Sequence, residues 1–126
     1  MDILITNNPL VDEEYRGRFT VEFHETSALG ILVSTRDRIH SGHRLLTHPL
    51  SGSLKPNETP YKSVLVSEIC AGADPKSVHI IEECILVAQK FTTKEVSEHH
   101  LQDLRIIDLS LIRPALETHR KLYLED

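Results

Sequence analysis

The chain has 126 residues, 40% of them hydrophobic and 26% charged, with a formal net charge of −5 at pH 7. These are globular values for a single domain, residues 1–126, that buries roughly two-thirds of the surface its unfolded form exposes, and they exclude a disordered or fibrous chain. The acidic balance argues against general binding to nucleic acid or anionic membranes, and no apolar run approaches the roughly 20 residues of a membrane span.

The first element predicted is a strand from Asp2 to Thr6, aliphatic enough to be buried on both faces. Its apolar run, Ile3-Leu4-Ile5, is too short for a signal peptide and follows no basic segment, so the chain is expected to be cytoplasmic. Asn8 then caps a short helix that has Pro9 in its first turn and reaches about Arg16. Phe19, Val21 and Phe23 alternate with Thr20, Glu22 and His24, which predicts an edge strand. Thr26 and Ser27 cap a second helix bearing Leu29, Leu32, Val33 and Ile39, and Gly42 is placed to end it. Leu45-Leu46-Thr47 predicts a third strand and Ser63 to Val66 a fourth. Asp74-Pro75 opens a helix over Lys76 to Phe91, whose apolar residues Val78, Ile81, Ile85 and Ala88 recur at helical spacing. From Thr93 onward Leu101, Leu104, Ile107, Leu111, Ile112, Ala115 and Leu116 predict C-terminal helix. Pro114 removes a backbone bond there, so the pattern allows one kinked helix or two helices.

Alternating strands and helices predict an α/β fold, a three-layer-like domain with a short parallel sheet of order 2-1-3 plus the fourth strand, and C-terminal helices. In such sheets ligands bind beyond the carboxyl ends of the strands. That rule brings Asn7 and Asn8, at the end of the first strand, beside His48, at the end of the predicted third.

Between His48 and Lys62 runs a loop rich in turn formers and hydrogen-bonding side chains, stiffened by Pro49, Pro56 and Pro60. Residues 36–62 carry a net charge of +3 while the rest carries −8, which reads either as a solvated face or as a site for a small anion. The candidate ligand-binding residues are Asn7, Asn8, His48, Ser51, Gly52, Ser53, Lys55, Asn57 and Thr59. Ser51-Gly52-Ser53 lets backbone N–H groups approach a phosphate or carboxylate, and Lys55 is the cation of the set, with Arg44 and Lys62 flanking it. The triplet lacks the spacing of a P-loop or dinucleotide fingerprint, so neither ATP nor NAD is expected.

His48 reads as an acid or base, or as a positioned histidine without catalytic duty, since no nucleophile motif accompanies it. His40, His43 and His48 lack the spacing of a zinc site, and no metal or cofactor is predicted. Cys70 and Cys84 lack a Cys-x-x-Cys spacing, and Cys84 falls on an apolar helix face as a small buried hydrophobe would.

The segments Ile5-Thr6-Asn7-Asn8-Pro9-Leu10-Val11, Ile39-His40-Ser41-Gly42-His43, Leu46 to Ser53, Lys55 to Ser63 and Leu111-Ile112-Arg113-Pro114-Ala115-Leu116 together resemble the GrdX family, small proteins encoded beside selenium-dependent glycine reductase. The resemblance covers the whole chain. It implies a setting in anaerobic amino-acid reduction, with glycine reductase components as candidate partners. Three functions stay open: a non-enzymatic accessory or regulatory protein that binds a small anionic metabolite or a partner through the 48–62 loop; a small hydrolase or transferase acting on a phosphate or carboxylate compound; and a structural module whose C-terminal helices form a homodimer.

Overall fold

The computed structural model describes residues 1–50, 55, 57–91 and 95–125, the side chains from residue 120 onward excepted. Strands β1 (Ile3–Thr6), β2 (Thr20–Phe23) and β3 (Ser63–Val66) form a sheet of order β2-β1-β3. Helices α1 (Pro9–Tyr15) and α2 (Ala28–His40) follow β1 and β2, and α3 (Pro75–Gln89) and α4 (Glu98–Glu125) follow β3.

The α/β class, the order 2-1-3 and the C-terminal helices agree with the sequence reading, but the sheet is mixed. Strands β1 and β2 run parallel, with Ile3 opposite Thr20, whereas β3 runs antiparallel to β1, with Thr6 opposite Ser63. The third place belongs to Ser63–Val66, the predicted fourth strand. Leu45–Thr47, the predicted third, makes only one bridge, Leu45 to Val66, on the far flank of β3. A strand covered by helices on both faces must be apolar throughout. Val64, Leu65 and Val66 are fully buried, while Leu45, Leu46 and Thr47 are half-buried and suit the periphery.

Period-2 alternation sorts the core into two layers. Leu4 and Leu65 meet Val11 and Tyr15 of α1 and Ile112 and Leu116 of α4. On the other face Ile3, Ile5, Val64 and Val66 meet Ile31 of α2, whose Leu32 and Ile39 pack on Ile81 and Ile85 of α3. The helices start where the sequence indicates: Asn8, Ser27 and Asp74 are N-caps, accepting from the backbone N–H groups of Leu10, Gly30 and Ser77. Gly42 follows α2 with φ +116°, and a Cβ there would stand 2.9 Å from the Gly72 nitrogen, so only glycine fits. Helix α4 passes through Pro114 as one element. Ile112 and Leu116 anchor both sides of the proline in the core while Pro114 itself faces solvent.

Candidate functional site

The carboxyl end of β1 is where the loop segments converge. The Asn7 amide nitrogen donates to the carbonyls of Thr26 (2.8 Å) and Pro60 (2.7 Å), and its oxygen accepts from the Lys62 N–H (2.9 Å). One side chain thus ties the end of β1 to the approach to α2 and to the chain entering β3. Asn8, fully buried, donates to the Arg105 carbonyl (2.8 Å) and to Asp108 Oδ2 (3.0 Å). All the amide hydrogens of both asparagines are engaged within the protein.

Asp108 closes a polar network under the α4 side of the sheet. Its Oδ2 also accepts from the Ser63 hydroxyl (2.8 Å), and Ser63 Oγ stands 2.7 Å from Thr6 Oγ1. Ser63 spends its hydrogen on the carboxylate, so Thr6 donates to Ser63 and accepts from the Asn8 N–H (3.0 Å). Burial pushes the Asp108 pKa above the ordinary carboxylate value, against the hydrogen bonds from Asn8 and Ser63 and the attraction of Lys62.

Lys62 stands one residue before β3 and lines both a hollow shared with Asp108 and a cavity beside α2 and α3. The Asn7 N–H donates to the Lys62 carbonyl (3.4 Å), which carries the β1–β3 register one pair further. Because Ser63 and Leu65 face α1 and α4, Lys62 shares the face of Val64 and Val66, toward α2 and α3. Burial pulls its pKa below the ordinary lysine value, opposed by attraction to Asp108 and Cys84. Among the described residues, none forms an ion pair or hydrogen bond with its ammonium group.

Lys62 lines a cavity of about 260 Å³ between the start of α2, the 57–62 segment and the end of α3. Leu29, Leu32, Leu50, Ala88, Phe91 and Val96 supply its apolar walls; Ser27, Asn57 and Thr59 join Lys62 among its polar groups. Thr59 Oγ1 accepts from the Tyr61 N–H (3.1 Å), and the buried Asn57 Oδ1 accepts no hydrogen bond. A smaller hollow of about 30 Å³ is lined by His48, Lys62, Ser63 and Asp108. There His48 Nδ1 accepts from the Leu50 N–H (3.2 Å).

Of the sequence candidates, Asn57 and Thr59 therefore share a cavity, His48 lines the smaller hollow, Asn7 ties the cavity's framework at Thr26, Pro60 and Lys62, and Asn8 belongs to the Asp108 network on the α4 side. Lys55 is exposed, turning back with its N–H toward Glu58 Oε2 (3.4 Å). Ser51, Gly52 and Ser53 lie outside the described residues. His40 meets Glu82 (3.1 Å) and His43 the Ser67 carbonyl (2.7 Å), and no three His, Cys, Asp or Glu side chains gather as a metal site among the described residues. Cys84 is buried as its helix face indicates, while Cys70 is exposed. No described helix is long and apolar enough to cross a membrane.

Sequence reasoning overlooked Lys62 and Asp108 as site residues. Both carried a signal: Lys62 precedes a four-residue buried strand in phase with Val64 and Val66, and Asp108 interrupts the apolar stripe of Leu104, Ile112 and Leu116.

A family model described as GrdX-like protein matches residues 3–117. The chain belongs to the GrdX-like protein family. The match takes in β1, the Asn7–Asn8 turn, Lys62 and Asp108, so both polar centres lie within the family's span. No curated protein and no solved structure matches the chain.

Proposed function

We propose that this member of the GrdX-like family is a non-enzymatic accessory or regulatory protein of glycine and amino-acid reductase metabolism, acting in the cytoplasm by binding a small anion through the 48–62 loop. Lys62 supplies the positive charge, and Asn57 and Thr59 orient the ligand from the same cavity. The observation that carries this reading is Lys62 itself. An ammonium group partly drawn out of water gains from a counter-charge that meets it. The described residues give it no ion pair, and it lines a hollow large enough for a small molecule. An incoming anion is the missing partner. The family's name is that of a protein associated with glycine reductase, which favours a ligand or partner from amino-acid reduction.

The test is calorimetric titration of the full chain with inorganic phosphate and acetate, for the wild type and Lys62→Met. Charge-assisted hydrogen bonds contribute about 1.5–3 kcal/mol, so the variant is expected to bind roughly ten- to a hundredfold more weakly. Equal binding by the two proteins, or none by the wild type, refutes the reading.

A further inference from the structure

We infer that the cavity at Lys62 is built for a short-chain aliphatic monocarboxylate; this rests on the reading of Lys62 as an anion site and narrows it to one chemical class. Lys62 is the single charged residue among the described residues that line the cavity. One half-buried cation neutralises one negative charge. A dianion or polyphosphate would bring into a largely apolar space charge that, among the described lining residues, only Lys62 offsets.

The walls argue for the rest of the molecule. Leu29 and Leu32 come from one turn of α2, Ala88 from the end of α3 and Phe91 from just beyond it; Leu50 and Val96 add to the apolar lining. A ligand that is all charge, such as phosphate or formate, would leave this surface against water. An aliphatic tail removes both apolar surfaces from water at once. At about 260 Å³ the space lies below the usual range for drug-sized ligands, so the tail is short. Ser27, Asn57, Thr59 and Gln89 are the polar side chains among the described lining residues available to the second carboxylate oxygen.

The experiment is a calorimetric titration of the full chain, wild type and Lys62→Met, with acetate, butyrate, hexanoate and decanoate, with butylamine as the same tail of opposite charge, and with inorganic phosphate. Each buried methylene contributes about 0.8 kcal/mol, so wild-type affinity is expected to rise about fourfold per methylene from acetate toward hexanoate and to level off as the cavity fills. Butylamine is expected not to bind, and Lys62→Met to lose the carboxylates by at least about tenfold. Carboxylates that bind through Lys62 with no gain from added methylenes, or phosphate bound as tightly as hexanoate, would overturn this inference and leave the anion site standing. Butylamine bound as well as butyrate would overturn it too. If no anion binds, the anion site and the inference fall together.

Discussion

Replacing Lys62 by Met separates a lysine that holds the fold together from one kept for a ligand. Burial lowers its pKa in the folded protein, so the folded state binds its proton less readily than the unfolded state does. At any pH below the folded value that cost to stability is fully present. It fades as pH rises through the folded value toward the unfolded one, where the lysine is neutral in both states. Methionine has a similar length, suits Leu29, Leu32 and Val64 as neighbours, and carries no charge. Attraction to Asp108 offsets part of the gain. Replacing buried charge by apolar side chains is often neutral or stabilising by about 1–4 kcal/mol, and we expect the lower part of that range. For a domain of this length each kcal/mol moves the melting temperature by about 3–5 °C. Scanning calorimetry of both proteins at neutral pH and near pH 10 is the assay: the variant should melt as high as the wild type or higher at neutral pH, and its advantage should shrink near pH 10. A variant that melts well below the wild type at neutral pH would mean that Lys62 is held by a counter-charge inside the protein.

Asp108 should behave in the mirror sense: with its folded pKa raised, its favourable contribution is complete at acid pH and is lost as pH rises through the folded value. Asp108→Asn keeps an oxygen for Ser63 and Asn8 and should be neutral or stabilising at pH 7, with the difference vanishing in acid. Asp108→Leu strands both donors and should cost about 1–3 kcal/mol for each, read by urea unfolding. Asn7→Ala loses its bonds to Thr26, Pro60 and Lys62 and should cost about 2–3 kcal/mol in the same assay, where a change under about 0.5 kcal/mol would contradict its tying role. Asn57→Ala removes an oxygen with no hydrogen bond and should change stability by less than about 0.5 kcal/mol; a larger loss would show that the Asn57 amide is held within the protein. Gly42→Ala forces a Cβ into a left-handed residue pressed against Gly72 and should lower stability by about 1–3 kcal/mol.

Local chemistry was legible in the sequence where one residue decides the outcome. Asn8, Ser27 and Asp74 each offer an oxygen to an unpaired helical N–H, and Gly42 answers a positive φ, so four helix ends could be read from single residues. Strand pairing was not local. Leu45–Thr47 and Ser63–Val66 are both short apolar runs, and which of them lies beside β1 depends on burial of both faces, which only the assembled layers of α1 and α4 against α2 and α3 supply. The direction of β3 followed from the same choice, since the chain reaches β1 from the 57–62 segment rather than directly from α2. Even so, Asn57, Thr59 and Lys62 arrive at the carboxyl end of β1, because an antiparallel strand begins at the edge where its partner ends. Lys55 and Lys62 look alike in sequence. The alternation that half-buries Lys62 next to the buried strand, and leaves Lys55 in the exposed turn, is what distinguishes them.

The central claim is that Lys62 is a half-buried cation that takes an anion as its partner, and the titration of its own ammonium group tests this most directly. With lysine side chains labelled for NMR and the Lys62 resonance assigned by its absence from Lys62→Met, its pKa should lie below the ordinary lysine value in the free protein and move upward, with proton uptake, when butyrate or inorganic phosphate is added in excess. A Lys62 that titrates at the ordinary lysine value and is unmoved by either anion would contradict the account.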